Sequence, residues 1–316
     1  MTFAPIILFV YNRPANTQRT LDELAKNEEA KFSTLYIYCD GPKENSDALQ
    51  LSKINAVRKI CASENRFKEV KIIDRKKNLG LATSIISGVT DVINRHGDII
   101  VLEDDIRTSR YFLKFMNDAL QVYKNDEKVI SVGGCNYFVL GKNKPATFFI
   151  PIPDCLGWVI WLDRWKLFET DSKKLLNSII ENKLQEKFNL YGFYNFSGML
   201  KDQSEGKVSS WAIRWQAVAY LNNKITIYPN PSVTQHLESK DATHAIGVNI
   251  TPPLLLEPLD IIKEELNVKT SSYYFMLKAY YTYFDKKPFE KFKKMMRFLV
   301  FWIKNKSRII EENKLV

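Results

Sequence analysis

The first hundred residues alternate short apolar runs with amphipathic stretches. Residues 6–10 are apolar at every position, which is typical of a parallel strand buried on both faces of a sheet. Between such runs, apolar side chains recur near the 3.6-residue spacing of an α-helix. This rhythm predicts an α/β fold in which helices flank an open, mostly parallel sheet. The predicted strands are residues 6–10, 35–39, 70–73 and 98–102, and the predicted helices include 51–61 and 81–93.

The pattern is less regular beyond residue 125. The segment 189–209 contains Gly, Ser and Asn and predicts a loop. Two prolines within 250–253 predict a linker into a helical tail. The remaining apolar runs predict strands at 129–132, 148–150 and 225–228 and helices at 171–188 and 211–221.

Polar segments follow the four predicted parallel strands. The carboxyl ends of parallel strands meet at one edge of a sheet, which is where α/β proteins bind ligands. Each segment taken alone is also ordinary turn chemistry. Together they predict one site, in which an Arg can pair with phosphate and a Gly permits close approach of a ligand. The segments are Asn12-Arg13, Asp40-Gly41, Asn78-Leu79-Gly80 and Glu103-Asp104-Asp105.

The acidic triplet, Glu103-Asp104-Asp105, directly follows a buried apolar run. Three adjacent carboxylates in that position repel one another unless a cation neutralises them. Hard oxygen ligands of this kind suit Mg²⁺ or Mn²⁺, which bind one or two carboxylates together with substrate phosphates. The alternative is a solvated acidic turn that caps the following helix.

The composition limits the class of protein. The chain has 316 residues, 45% of them hydrophobic, so it can bury a core as one large domain or two closely packed ones. No apolar stretch reaches the ~18 residues of a membrane span. Four widely spaced cysteines, without a CxxC pair, argue against a disulfide scaffold or a zinc ribbon. With no signal-like basic start, the sequence predicts a cytoplasmic protein.

The net charge of +10 is concentrated in the C-terminal tail. From Lys269 onward, twelve Lys or Arg stand against four Asp or Glu, which leaves +8 for the tail and +2 for the body. Aromatic and aliphatic residues alternate with these basic residues, and a basic helix of this composition suits binding to the interface of an anionic bilayer. We therefore expect peripheral contact with the inner face of a membrane and no nucleic-acid partner. Packing of the tail on the body is the alternative.

The spaced motifs resemble a known group of enzymes. FVYNRP, YIYCDGPK, NLGLATSI and VLEDDI are similar to the nucleotide-binding half of GT-A fold glycosyltransferases, in particular the N-acetylglucosaminyltransferase I type and its bacterial relatives. LGW at 156–158 and WAIRW at 211–215 resemble the acceptor side. The resemblance covers roughly residues 4–245. It implies a nucleotide-sugar-binding half (1–135), an acceptor-binding half (136–250) and a helical extension (251–316).

The resemblance also implies a role for each motif. Asp105 would ligate Mn²⁺ or Mg²⁺, and the metal would bridge the two phosphates of a UDP-sugar such as UDP-N-acetylglucosamine. Glu103 and Asp104 would face the sugar and the ribose. Asp40 would contact uracil, and Arg13 would line the nucleotide pocket with Asn12, Gly41, Asn78 and Gly80. The acceptor would be a glycan or a lipid-linked oligosaccharide.

The sequence departs from this group at the general base. The group carries an Asp before the Trp of its Trp-x-x-Arg-like segment, where this chain has Ser210. A serine hydroxyl cannot take a proton near neutral pH as a carboxylate can. Asp202 and Asp154 are the candidate replacements, each with a solvated loop acid as the alternative. An inverting reaction is expected, although a retaining one, which needs no base, stays open.

Histidines and tryptophans supply the remaining candidates. His236 and His244 both follow the Pro229–Pro231 turn, where the resemblance implies a histidine that reaches the metal or the diphosphate. We prefer His244 as this second metal ligand, with a surface histidine on a loop as the alternative for each. Most tryptophans are expected in the core, with Trp158 as the candidate ring for stacking on a sugar. Two other functions remain open, a sugar-phosphate nucleotidyltransferase and a non-catalytic basic adaptor for membranes or nucleic acid. The first of these expects a Gly-rich phosphate loop, whereas residues 12–16 contain no glycine.

Overall fold

The computed structural model describes residues 3–136, 146–190, 194–237 and 253–261. Its strands are β1 (Ile6–Val10), β2 (Thr34–Cys39), β3 (Glu69–Asp74), β4 (Asp98–Glu103), β5 (Ile106–Thr108), β6 (Val129–Gly133), β7 (Thr147–Ile150), β8 (Trp158–Trp161), β9 (Ile225–Pro229) and β10 (Thr234–His236). Its helices are α1 (Pro14–Leu24), α2 (Ala48–Ala62), α3 (Leu81–His96), α4 (Phe112–Val122), α5 (Leu162–Trp165), α6 (Ser172–Glu181), α7 (Gln185–Phe188), α8 (Phe196–Ser204) and α9 (Trp211–Leu221). A 3-10 turn spans Glu28–Phe32.

Within the described residues, eight strands form one sheet in the order β3-β2-β1-β4-β8-β6-β9-β7. The first four of these neighbours are parallel, and β6 is parallel to β9. β8 runs antiparallel between β4 and β6, and β7 is antiparallel to β9. β5 and β10 pair separately. The predicted α/β class, with a mostly parallel sheet flanked by helices, is confirmed.

The sheet is covered on both faces because its central strands are apolar throughout. Alternate residues of β1 point to opposite sides, so Leu8 packs with α1, α2 and α4 while Ile7 packs with α3 and α9. Every residue of β1, from Ile6 to Val10, is buried. The continuous run that predicted a parallel strand therefore reflects burial on two faces.

The structure corrects two of the predictions for the second half of the chain. The segment predicted as a loop contains α8, which Asn195 caps by accepting a hydrogen bond from the Gly198 N–H. Trp158 is not a sugar platform, because it is 1% exposed and its ring stacks on Trp211 at 5.1 Å between centroids. The other tryptophans of this region, Trp161, Trp165 and Trp215, are buried as well.

The predicted C-terminal extension lies almost entirely outside the described residues. Of its first part, Leu254 forms a bridge with Ser232, and Leu255 is buried against the body. Among the residues that the structure describes, no helix is long and apolar enough to cross a bilayer.

Candidate functional site

The acidic triplet lies where the sequence predicted it, at the carboxyl edge of the parallel strands. Glu103 is the last residue of β4 and pairs in register with Phe9 of β1. Asp104 and Asp105 form the turn that leads into β5. Because β1 and β4 are neighbours, the segment that follows β1 lies directly beside this turn.

Arg13 connects the end of β1 to the triplet. One guanidinium nitrogen, Nη1, donates to Asp105 Oδ2 at 2.8 Å and to Asp104 Oδ1 at 3.3 Å. The Tyr11 N–H lies 3.4 Å from Asp104 Oδ2, and the Thr20 hydroxyl donates to the Asp104 carbonyl at 3.0 Å. The predicted proximity of the motifs after β1 and β4 is therefore a feature of the fold.

His236 reaches the same carboxylate from the opposite direction. β10 pairs antiparallel with β5 so that His236 lies opposite Ile106, and its Nε2 is 3.4 Å from Asp105 Oδ2. The Leu237 N–H also donates to the Asp105 carbonyl, at 2.6 Å. Sequence reasoning preferred His244, which lies outside the described residues. The sequence feature that points to His236 is its position in a short β-strand pattern directly after the Pro229–Pro231 turn.

The three carboxyls of the triplet differ in acidity. Burial, then repulsion from Asp105, raises the pKa of Glu103 well above its ordinary value. The same two causes raise the pKa of Asp104 to about 7 against the attraction of Arg13. Burial also acts on Asp105, but the His236 and Arg13 contacts outweigh it and lower its pKa. Asp105 is thus the carboxylate that stays ionised.

A second part of the edge is formed where β2 ends. The carboxylate of Asp40 accepts hydrogen bonds from the backbone N–H groups of Gly41, Leu79 and Gly80 at 3.0–3.3 Å. The Asn78 side chain donates to the Gly41 carbonyl at 2.9 Å. The motif after β2 therefore fixes the loop that opens α3, and the two segments lie together at the shared edge, as predicted. Contact of Asp40 with a nucleobase stays a prediction.

Gly41 is required at this position by close packing. A Cβ there would lie 2.5–2.7 Å from backbone atoms of Lys76 and Lys77, which cannot move aside as a side chain can. We expect Gly41→Ala to lower the free energy of unfolding by about 3 kcal/mol, the upper part of the overpacking range. Urea denaturation measures the loss.

Gly206→Ala is the matched control for this prediction. Gly206 has φ +73° and nothing within 4 Å of a Cβ, so the substitution tests backbone strain without a clash. It should cost about 1 kcal/mol. A loss for Gly41→Ala no larger than that for Gly206→Ala would show that the loop yields and that the close approach is unimportant.

Asp154 lies next to the triplet, just before β8. The β4–β8 pairing of Val101 with Trp158 places the residues before Trp158 beside the end of β4. Burial, followed by the charges of Asp154 and Glu103, raises the pKa of the Cys155 thiol well above its ordinary value. Burial likewise raises the pKa of Asp154 to about 6.

The oxygens of Asp154 are already engaged. They accept hydrogen bonds from the backbone N–H groups of Cys135, Cys155 and Leu156 at 2.8–3.1 Å. These bonds join the end of β6 to the segment that enters β8. A carboxylate used in this way positions both segments, and the base role of Asp154 stays a prediction.

The other candidate base, Asp202, lies in α8. Its side chain is 48% exposed and its Oδ1 is 3.8 Å from Lys207 Nζ. Ser210, which stands where the related group carries Asp, caps α9 by accepting from the Ile213 N–H at 3.3 Å. The role of Asp202 as the general base stays a prediction.

The residues of the triplet fit a metal only together with a ligand. Among the described residues, no group of three or more His, Cys, Asp or Glu side chains is arranged to hold an ion. Asp105 and His236 offer one carboxylate and one imidazole at 3.4 Å. Because Mg²⁺ and Mn²⁺ commonly complete their shells with water and substrate phosphates, this donor pair suits either ion when a diphosphate is present.

Comparison with known proteins leaves the family of this chain open. No known family matches the sequence, and no curated protein matches it. Similar folds include UDP-glucose pyrophosphorylase complexed with UDP-glucose (11% identity, 72% of this chain and 90% of that chain, TM-score 0.35). They also include mouse xyloside xylosyltransferase 1 (9% identity, 69% of this chain and 81% of that chain, TM-score 0.36). A further one is GalNAc-T7 with UDP, GalNAc and Mn²⁺ (11% identity, 76% of this chain and 45% of that chain, TM-score 0.44). At these values the likenesses assign no activity to this chain.

Proposed function

We propose that this protein is a metal-dependent glycosyltransferase that moves a sugar from a UDP-sugar to a glycan or lipid-linked acceptor. The observation that carries the proposal is the acidic turn Glu103-Asp104-Asp105, in which Asp104 is buried, flanked by Arg13 and His236 at the carboxyl edge of a parallel sheet. Carboxylates, an imidazole and a guanidinium in this place suit a diphosphate that is held with a divalent cation.

Each residue near the triplet has a role in this proposal. Asp105 and His236 hold Mn²⁺ or Mg²⁺, which as a Lewis acid stabilises the charge that develops on departing UDP. Arg13 pairs with a phosphate. Glu103 and Asp104, whose pKa values burial raises, face the sugar and ribose oxygens in this proposal.

The loop anchored by Asp40 forms the pocket for the nucleobase in this proposal. Its backbone is fixed by Asp40 and Asn78, so Gly41 and Gly80 belong to a pre-formed surface, and in this proposal Asn12 lines the pocket from the end of β1. We assign the general base to Asp202 because its carboxylate is half-exposed and held only by a long ion pair. Asp154 is engaged by backbone N–H groups and acts as a positioning residue. Inversion at the anomeric carbon follows from a base-assisted reaction.

Calorimetric titration of UDP into the protein tests the proposal. With Mn²⁺ present, UDP should bind at least about tenfold more tightly than with EDTA, because a cation held by Asp105 and His236 would attract the diphosphate. Titrations of CDP and ADP are the controls that test recognition of the uracil nucleobase. A panel of UDP-hexoses and UDP-N-acetylhexosamines, followed by NMR of the released sugar, then identifies the donor and the anomer formed. Equal affinity for UDP with Mn²⁺ and with EDTA would contradict the proposal.

A further inference from the structure

Arg13 contacts the oxygen of the Asp105 carboxylate that also faces His236. Its Nη1 lies 2.8 Å from Asp105 Oδ2, and the side chains of Arg13 and Asp105 are 19% and 14% exposed. The same oxygen is 3.4 Å from His236 Nε2, and Asp104 Oδ1 lies 3.3 Å from the guanidinium. In a partly buried setting, a charge-assisted contact of this length is one of the stronger polar interactions.

A divalent cation on Asp105 would lie within a few ångströms of the guanidinium. Two positive centres that share one carboxylate in a partly buried site repel each other strongly. Arg13 and the metal therefore compete for Asp105, and the guanidinium must turn away before the metal can be held by His236 and Asp105 together.

The backbone of Arg13 allows that movement. Arg13 precedes α1, and its carbonyl accepts from both the N–H and the hydroxyl of Thr17 at 2.9 Å. The main chain is thus fixed, while the long side chain carries the charge. The acidic turn has supports of its own, since Tyr11 and Thr20 bond Asp104 without Arg13.

We propose that Arg13 is a built-in counter-cation that excludes the metal from Asp105 until a nucleoside diphosphate arrives. The diphosphate would then accept hydrogen bonds from the guanidinium and would supply oxygen ligands to the cation. Arg13 is in this sense a positioning residue that makes the binding of metal and nucleotide strongly cooperative. The inference rests on the proposed function, because it takes a diphosphate as the ligand.

A titration of Mn²⁺ into the protein at pH 8, without nucleotide, tests the competition directly. The EPR signal of the free ion measures how much Mn²⁺ is bound. At that pH, which is above the Asp104 pKa of about 7, carboxyl protonation interferes least. Arg13→Gln should bind Mn²⁺ at least about tenfold more tightly than the wild type, about 1.4 kcal/mol. The factor by which Mn²⁺ strengthens UDP binding should fall by a similar amount, since coupling is reciprocal.

Arg66→Gln is the matched control, because Arg66 also pairs with two carboxylates, those of Asp22 and Glu64. It should change neither quantity. Arg13→Lys keeps a charge but lacks the planar fork, so its Mn²⁺ affinity should fall between those of the wild type and Arg13→Gln. The Mn²⁺ affinity of Arg13→Lys therefore tests the competition independently if Arg13→Gln folds poorly.

Two results would overturn the inference. If Arg13 merely supported the turn, its replacement would weaken Mn²⁺ binding, which is the opposite of the increase in affinity that we expect. Unchanged Mn²⁺ affinity in Arg13→Gln and Arg13→Lys would likewise refute the competition. Failure of every variant to bind UDP would instead refute the proposed function, and the titration with Mn²⁺ alone would still report on Arg13.

Discussion

Asp105→Asn is expected to lower the turnover of a UDP-sugar by about a thousandfold, because the variant would lose the ionised carboxylate that we propose as the metal ligand. Stabilisation of a developing phosphate charge by a metal is worth several kcal/mol, and about 4 kcal/mol corresponds to that factor. The asparagine oxygen can still accept from Arg13 and His236, so the fold should persist. Initial rates with the donor identified by NMR provide the measurement.

Asp22→Asn is the matched control for this expectation. Asp22 is also an aspartate that pairs with an arginine, Arg66, but it lies on the exposed side of α1. Its replacement should leave turnover within about twofold of the wild type, since exposed ion pairs contribute little. Circular dichroism excludes unfolding of either variant. Turnover by folded Asp105→Asn close to that of the wild type would remove Asp105 from the proposed metal site.

The parallel half of the fold could be predicted from the sequence because its physical cause is local. A strand buried on both faces must be apolar at every position, as 6–10 and 98–102 largely are. The shared edge then follows from topology, which is why the sequence predicts that Arg13 lies near Asp105.

The antiparallel strand β8 could not be predicted in the same way. WVIW is too short to distinguish a strand from one turn of a buried helix, and two of its residues are tryptophans found in either setting. Its place between β4 and β6 depends on long-range pairing. That place is what sets Asp154 beside the triplet.

The partners of single polar side chains were likewise beyond prediction. Nothing local to Asp40 indicates that its carboxylate would accept from Leu79 and Gly80, 39 and 40 residues away. His236 reaches Asp105 only because β10 pairs with β5. Each contact is set by register between segments distant in sequence, and spacing along the chain does not contain that information.

The buried carboxyls predict an unusual dependence of stability on pH. In the folded protein, burial is the largest cause that raises the pKa of Asp104 to about 7 and that of Asp154 to about 6, from 3.8. The folded state therefore binds more protons than the unfolded chain between pH 4 and pH 7. Since the free energy of unfolding then decreases as pH rises, the protein should lose stability through this window.

The loss should be at least about 3 kcal/mol, because each unit of pKa shift corresponds to about 1.4 kcal/mol and two aspartates contribute. Glu103, whose pKa burial also raises, acts in the same direction. The lowered pKa of His96 acts in the opposite direction near 6.5, with a smaller effect because its ring is only partly buried. Urea denaturation at pH 5, 6, 7 and 8, with EDTA and without nucleotide, measures the slope.

Asp104→Asn separates the contributions of the two aspartates. Its amide oxygen can still accept from the Tyr11 N–H or from Arg13, but it does not titrate. The variant should lose the Asp104 contribution throughout the window: below pH 6 the contribution of Asp154 persists, and above pH 6, where Asp154 has already ionised, the decline should be smaller still. Asp22→Asn, which removes a carboxyl of lowered pKa, should leave the slope in this window unchanged. A wild-type stability that rises from pH 5 to 7, or an undiminished decline above pH 6 in Asp104→Asn, would show that the acidic turn is not the source of the effect.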